Sequence, residues 1–526
     1  MSEPLVRTEP LGGSALARLA AAGAAPPSWY PPVPRGSAAW RERAGAVRAS
    51  FPGAAWLDAL RPAFSATGRA AERLERAAAA GVLVTTGQQP GLFGGPVYTW
   101  SKALSALAFA DALEASTGVP TAPIFWAATD DADFAEAAVT RVALPGGVER
   151  LELGAAVPEG TPMADVPLGG EVEGLLRALE RAAGSAANAP ALEAVRRAYQ
   201  PAATVGSAYC TLLRELLEPC GIAVLDASHP AARAAAFPLL VSALARAEQI
   251  EAALAERSRE LAERELAPQV TLVAGLSLVF ASSGYAAKRR LALTDARDAA
   301  SRARPGGLSP NVLLRPVVER SILPTVAYMA GPGELGYFAQ VSAVAEALGA
   351  HGPLALPRWS GTIVEPHVAR ILRRLAISEE ELRDPHAVET RLARAAAPAA
   401  LRLALDDAAR AIELLSERLR QAPEASALVP EPVVEGARRA LLLRLQRLER
   451  RYLAALKRRE VQLLRDVATA RASLYPDGLR QERALNFVPF LARYGTPLVE
   501  EMHARAGAHA SQLAGLEPIP RATALA

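Results

Sequence analysis

The sequence is short of several residue types and patterns that would point to a function directly. It has two cysteines, Cys210 and Cys220, and six histidines in 526 residues. The cysteine spacing matches no zinc pattern, and so low a thiol count fits a reducing, cytoplasmic setting. No histidines fall in an HxxxH or HxGH pattern, which leaves zinc-hydrolase and Ser-His-Asp chemistry with little support. No apolar run reaches the roughly 18 residues of a membrane helix. The opening stretch MSEPLVRTEPLGG has no basic region followed by an apolar core, so no secretory signal is expected. Charge of one sign is also lacking. The balance of 58 Lys and Arg against 55 Asp and Glu leaves +3, too little for a global attraction to nucleic acid or membrane.

What is present is a soluble globular balance, 51% hydrophobic and 21% charged. The chain is long enough for two or three domains at roughly 100–200 residues each. GVLVTT (81–86), APIFWAA (122–128), IAVLDAS (222–228), LPTVAYMAG (323–331) and PLALPRW (353–359) read as buried strands. Helical spacing separates them, from Pro96 onward and over 231–264. Strand, loop, helix, strand is the pattern of a right-handed parallel unit. The expected fold class is therefore α/β, an open and mostly parallel sheet with helices on both faces.

Residues 85–100, TTGQQPGLFGGPVYTW, hold four glycines and two prolines between a strand and a helix. Glycine costs about 0.5–1 kcal/mol relative to alanine in a packed element, so the cluster asks for a tight turn, close backbone approach or a ligand. A loop at this place can set backbone amides and a helix N-terminus against an anion. The spacing is neither GxGxxG nor GxxxxGK[ST]. Gln88 and Gln89 can donate to and accept from a polar ligand, and Lys102 is within reach of a phosphate held there. Gly94→Val is expected to weaken ligand binding with folding intact.

TDDADF (129–134) follows the second strand and places Asp130, Asp131 and Asp133 at the same sheet edge. Such carboxylates can cap a helix, bind an ammonium group, hold Mg²⁺ or act as a base. SPNVLLRPVVERSILPTVAYMAGPGELGYFAQ (309–340) supplies Asn311, Arg315, a second glycine turn at Gly331–Glu334, and then Tyr337 and Gln340. Arg315 can clamp a carboxylate or phosphate, or form a structural ion pair. LDASHP (225–230) adds Asp226 and His229 at another strand end.

Beyond about residue 375 the texture becomes helical. Leu401, Leu405, Ala408, Ile412, Leu415 and Leu419 follow heptad spacing. After a break at 422–436, Leu441, Leu445, Leu448 and Tyr452 resume it, and after a slip Leu456, Leu463, Val467, Ala470 and Leu474 continue it. This predicts an antiparallel helical hairpin ended by Pro476 and Gly478. LNFVPFLARYG (485–495) is apolar enough to return to the core. Residues 438–471 carry eleven Lys and Arg against three Asp and Glu. A competing reading is a nucleic-acid-binding or scaffolding coiled coil with a degenerate nucleotide-binding α/β domain.

TTGQQPGLFGGPVYTWSKALSA, PIFWAATDDADF, the 309–340 block and PDGLRQERALNFVPFLARYG together resemble the cysteine-adding ligase family of bacillithiol biosynthesis. The blocks run in order from about residue 81 to 495. The resemblance implies a Rossmann-like core, related to nucleotidyl transferases and class I aminoacyl-tRNA synthetases, over 1–375 with inserted connecting segments. It further implies a dimerising helical coiled coil over 376–475 and a C-terminal segment, 476–526, returning to the core. The implied reaction joins L-cysteine to the amino group of glucosaminyl-malate.

Two departures stand out. Where the family has histidine between acidic residues, this chain has Ala132. The family's Gly-Tyr-His-Pro-Gln stretch reads RELAPQV (264–270), with Ala267 at the histidine position. No histidine acid-base role carries over at either place.

Amide formation from a free carboxylate is uphill in water, so the acid needs activation, as an acyl-adenylate or acyl-phosphate from ATP with or without Mg²⁺. On this reading Gly87, Gln88, Gln89, Gly91, Gly94 and Gly95 hold the cofactor. Lys102 and Arg315 stabilise charge. One of Asp130, Asp131 and Asp133 binds the cysteine ammonium or deprotonates the amine. Tyr98, Asn311, Gly331, Glu334 and Gln340 bind substrate, and no protein-held metal is expected. The expected protein is a cytoplasmic homodimer acting on small molecules, without membrane or nucleic-acid partners.

Overall fold

Five parallel strands form the central sheet: Val82–Gln88 (β1), Thr121–Ala127 (β2), Ala223–Asp226 (β3), Thr325–Ala330 (β4) and Ala355–Pro357 (β5), in the order β5-β4-β1-β2-β3. The computed structural model describes residues 3–186, 189–282, 287–422, 424 and 428–516. Register runs from Val82 opposite Thr121 to Gln88 opposite Ala127, and Tyr328 of β4 faces Thr85 on one side and Ala355 on the other. Strand order reverses between β1 and β4. In an open parallel sheet this switch opens a crevice beyond the carboxyl ends of the strands.

The strands are apolar on both faces because both are covered. Leu83, Ile124, Trp126 and Leu225 point to one side, against Leu57, Leu60, Phe64 and Leu74. Val82, Val84, Val326 and Met329 point to the other, where Trp40 and Val47 of helix Gly36–Ala49 (α1) meet Phe109 and Leu113 of helix Val97–Thr117 (α2). Helix α2 is buried nearly all round, which explains the lack of a polar stripe in its sequence. Helices Arg315–Ile322 (α3) and Pro332–Leu348 (α4) flank β4. The expected return of 485–495 is present: Phe487 and Phe490 are buried, and Phe487 stacks on Trp100 at 4.7 Å. A small antiparallel sheet at 276–310 is an insertion into the parallel core.

The chain divides into two compact units, one of residues 1–142, 149–363 and 481–526, the other of 143–148 and 364–480. Residues 364–375 thus belong to the helical unit, although sequence reading placed them with the core. In that unit, helices Ala399–Gln421 (α5) and Glu431–Arg459 (α6) form the expected hairpin. Its connection at 423 and 425–427 lies outside the described residues, as does the end of the expected C-terminal segment at 517–526. The seam is not the predicted one throughout. Ser416 and Leu453 are its buried positions, while Leu415, Leu419, Leu441, Leu448 and Tyr452 are exposed. Many of the basic side chains have acidic neighbours. Arg438 and Arg439 pair with Glu435, Arg394 with Glu449, and Lys457 with Glu389.

Candidate active site

The glycine-rich loop works first as a compact turn. After β1 the chain makes a single 3₁₀ turn at Leu92–Gly94 and enters α2 behind Pro96. Gly94 (φ +85°) and Gly95 (φ +77°) occupy conformations that side-chain-bearing residues avoid, and a Cβ on Gly91 would lie 2.8 Å from Gly95 Cα. The turn is tied down from outside. Gly94 N–H donates to Tyr199 OH, which donates to Gly91 O, and Asn486 Nδ2 donates to Leu92 O and Phe93 O. Within the loop, Gly94 N–H also faces Gly91 O, Gly95 N–H donates to Leu92 O, and Val97 N–H donates to Leu485 O. Those three amides have acceptors inside the chain, which leaves them to the turn.

Behind the loop, at the switch point, lies a buried charge network. Lys102 Nζ donates to Gly87 O (2.7 Å), Gln88 Oε1 (2.9 Å) and Glu334 Oε2 (2.6 Å), which uses all three of its N–H groups. Glu334 also accepts from Gly331 N–H and from Tyr328 OH. Arg315 donates to Glu319 at 3.1 Å and to the hydroxyls of Tyr328 and Tyr337. Burial lowers the Lys102 pKa, against the pull of Glu334. Burial would raise Glu334, but Lys102 and Arg315 hold it below the usual carboxylate range.

A hydrogen-bonded relay leads from this network to the surface. An ammonium group only donates, so Gln88 must turn Oε1 to Lys102, which leaves Nε2 to donate to Tyr98 OH at 3.1 Å. Tyr98 OH then directs its proton to Glu136 Oε1 at 3.5 Å. Both Tyr98 and Glu136 line a cleft of about 250 Å³ with Gln88, Gln89, Gly91 and Gly95. Three guanidinium-bearing residues, Arg141, Arg150 and Arg483, share its wall. Thr99 also lines it, buried, with a hydroxyl that has no hydrogen-bond partner among the described residues. Arg483 lies over the Tyr98 ring and is presented there because its neighbour Glu482 makes a buried two-point pair with Arg358 (2.9 and 3.0 Å). Burial raises the Glu136 pKa, Asp133 and Asp131 add to the rise, and Arg483 opposes it.

Residues 54–297 and 297–359 match the family model described as "Bacillithiol biosynthesis BshC, N-terminal Rossmann-like domain", and residues 361–512 match "Bacillithiol biosynthesis BshC, C-terminal coiled-coil domain". The chain belongs to the BshC family. Relatives carrying the name "Putative cysteine ligase BshC" include one from Koribacter versatilis, 34% identical over 458 residues that cover 83% of each chain. A second, from Solibacter usitatus, is 32% identical over 79% of this chain and 81% of its own. A third, from Salinibacter ruber, is 29% identical over 83% of each. Membership makes the chain a ligase-family enzyme with an α/β core and a helical coiled coil.

Within this BshC-family chain, the residues singled out from sequence separate into two groups. Gln88, Gln89, Gly91, Gly95 and Tyr98 line the cleft, whereas Gly87, Gly94, Lys102, Arg315, Gly331 and Glu334 stand behind it in the turn and the buried network. Gly87 is held to glycine by packing, since a Cβ would lie 2.9 Å from Trp126 O. Asn311 Oδ1 accepts from Leu313 and Leu314 N–H and so shapes the turn that leads into α3. Gln340 is fully buried, with both amide ends on the Val270 backbone, so it docks the 268–270 segment. Asp133 caps a short helix through Glu136 N–H, Asp131 accepts from Asp133 N–H, and the Asp130 carbonyl accepts from Lys288. Burial raises the Asp131 pKa. Asp226 accepts from Thr129 and from Ser228 N–H, while His229 caps a helix.

No histidine is among the described residues that line the cleft, and neither Ala132 nor Ala267 is part of that lining. Sequence reasoning missed Glu136, Arg141, Arg150 and Arg483. Arg483 and Glu136 lie inside or beside the blocks that carried the resemblance, and Glu136 continues TDDADF by two residues.

Proposed function

We propose that this enzyme joins the carboxyl group of L-cysteine to the amino group of glucosaminyl-malate, after activation of the carboxyl by ATP. The observation that carries the reading is the Arg141–Arg150–Arg483 cleft at the carboxyl edge of the sheet, facing Gln88, Gln89 and Glu136. Its donors suit an anion: guanidinium groups pair with carboxylate or phosphate oxygens at two points. The Thr99 hydroxyl supplies one more donor. They do not suit a divalent cation, and among the described residues no group of three His, Cys, Asp or Glu is placed to hold a metal. ATP, with Mg²⁺ brought on its phosphates, supplies a leaving group for the acyl carbon. The chain's own part is to hold the anionic substrates on the arginines and to take a proton from the substrate ammonium, which frees the amine lone pair to attack the acyl carbon as the activating group leaves. Glu136 takes that proton, with Tyr98 and Gln88 fixing its direction.

Lys102, Arg315 and Glu334 act here as positioning residues that set Gln88, not as contacts to phosphate. Binding of the cysteine ammonium is assigned to one of Asp130, Asp131 and Asp133 at the neighbouring strand end.

The exposed leucines on α5 and α6 fit a second copy of the hairpin, and a homodimer is part of this proposal. No described helix is long and apolar enough to cross a membrane, and a cytoplasmic setting is proposed from the substrates. Titration calorimetry with glucosaminyl-malate, cysteine and ATP–Mg²⁺, together with mass detection of the condensed amide, tests the assignment. Binding of glucosaminyl-malate with ATP-dependent amide formation supports it. Folded protein that binds none of the three overturns it.

A further inference from the structure

The buried aliphatic hydroxyls of α2 are not all satisfied in the same way. Ser101, Ser105 and Thr117 each donate to the carbonyl four residues back, Val97 O, Ser101 O and Leu113 O. A helix offers that acceptor to any serine or threonine in its interior. Thr99 is different. The residue four back from it is Gly95, which precedes the helix and whose ψ of −170° keeps its carbonyl out of the helical array. Thr99 is 1% exposed, and its Oγ1 has no hydrogen-bond partner among the described residues. A buried donor in that state bears its full desolvation cost until an acceptor arrives.

Gly95 also keeps the place beside this hydroxyl free of side chain. Its φ of +77° with ψ of −170° belongs to a region that is essentially glycine's alone, and a Cβ there would lie 3.1 Å from Thr99 Oγ1. Both residues line the cleft whose wall carries Arg141, Arg150 and Arg483. The glycine thus removes the internal acceptor of the hydroxyl and leaves the cleft as the side from which another can come.

The acceptor that fits is a carboxylate oxygen. A guanidinium fork takes a carboxylate through both oxygens, and each oxygen keeps a further lone pair for a hydroxyl donor. At about 250 Å³ the cleft is smaller than the roughly 300–1,000 Å³ usual for a drug-sized ligand, which suits the carboxylate end of a substrate and not a whole nucleotide. We propose that Thr99 is a specificity-determining residue, its hydroxyl donating to a carboxylate oxygen of the acceptor substrate and so selecting substrates that bring an oxygen to the Gly95–Thr99 corner. A site built to hydrogen-bond its substrate rejects analogues that leave its polar group unpaired. For the identity of that substrate, glucosaminyl-malate, the inference rests on the ligase reading.

Calorimetry with glucosaminyl-malate on the full chain tests it, alongside the Tm of the ligand-free protein. Thr99→Val nearly keeps the shape of the side chain and removes the hydroxyl. It is expected to bind glucosaminyl-malate about tenfold more weakly, the loss of one hydrogen bond to a charged group. Its ligand-free Tm should stay at or above the native value, because a buried donor without a partner is gone. Thr99→Ser keeps the donor and should retain most of the affinity. A hydroxyl with a structural role would lower Tm when removed, and a packing role of the methyl group would show in Thr99→Ser. Unchanged affinity in Thr99→Val overturns the proposal, as does a Tm several degrees lower in that variant, or a Thr99→Ser chain that binds as weakly as Thr99→Val. Native protein that does not bind glucosaminyl-malate overturns it together with the substrate assignment. Native protein that binds it but forms no amide sinks the ligase reading alone, since the comparison of Kd values still decides the role of Thr99.

Discussion

Lys102 Nζ lies 2.6 Å from Glu334 Oε2, both side chains largely buried, and the pair ties the helix after β1 to the helix after β4 across the point where strand order reverses. Removing one member of a buried pair costs about 3–5 kcal/mol because the other charge is left uncompensated, whereas replacing both with apolar residues is milder. Glu334→Gln is therefore expected to destabilise the Rossmann-like unit by about 3 kcal/mol or more. The double variant Lys102→Met with Glu334→Leu should recover part of that loss. All six tryptophans, at 29, 40, 56, 100, 126 and 359, belong to this unit. Urea unfolding followed by tryptophan fluorescence consequently reports it without the coiled coil. A double variant no more stable than Glu334→Gln would show that the charges themselves are not the issue.

The same network predicts a pH dependence. Burial raises the Glu319 carboxyl to about 7, against the pull of Arg315 3.1 Å away. An acid whose folded pKa exceeds its unfolded value holds its proton more tightly when folded. Its contribution to stability is complete below the ordinary value of 4.5 and is lost as pH rises through about 7. Glu319→Gln does not titrate. The difference in Tm between the native chain and this variant should shift against the native chain between pH 4.5 and 7, then level off. A difference that stays constant from pH 4.5 to 8 would rule out Glu319 as the titrating group.

The strands were legible because burial on both faces leaves unbroken apolar runs such as GVLVTT, and the parallel order followed from the helices between them. The site was legible only in part, for a physical reason. Sequence spacing shows which residues leave a strand end, but not which hydrogen bonds they make after folding. Spacing alone puts Lys102 within reach of a phosphate at the strand edge, and nothing in SKALSA shows that Glu334, more than two hundred residues on, pairs with it. Arg483 comes from the other end of the chain and is aimed by the Arg358–Glu482 pair, a contact without local signal. The hairpin's second helix was found by its periodicity, but an arginine-rich helix with leucines on more than one face carries two plausible seams. The structure buries Leu453 and exposes Tyr452.

The glycine loop also yields a corrected test. Gly94→Val is expected to damage folding, not only ligand binding. Gly94 sits at φ +85°, and a Cβ there would lie 3.1 Å from Leu212 Cδ2, so the variant should lose about 1–3 kcal/mol. Gln89→Ala is the informative change, since Gln89 lines the cleft and serves no turn hydrogen bond shown for the loop. It should leave the tryptophan-monitored transition in place and raise KM for the anionic substrate. A Gly94→Val chain that unfolds like the native one would mean that the loop tolerates β-branched residues at a left-handed position.

Glu136 and Arg483 separate binding from proton transfer. Arg483 is exposed in the cleft wall, so Arg483→Ala should leave stability within about 0.5 kcal/mol and weaken an anionic substrate by about 1–3 kcal/mol, the value of a charge-assisted contact. That loss should appear in KM. Glu136→Gln keeps the shape of the side chain and its contact with Tyr98 but removes the basic oxygen, so it should lower kcat while substrate binding persists. Burial and the neighbouring aspartates raise the Glu136 pKa, and the enzyme needs the ionised form as base. The acid limb of the native kcat/KM profile should therefore lie above the ordinary carboxylate range, and Glu136→Gln should lose that limb along with most of its rate. If Glu136→Gln kept the limb, the proton would be going elsewhere, and Asp131, whose pKa burial also raises, would be the group to replace next.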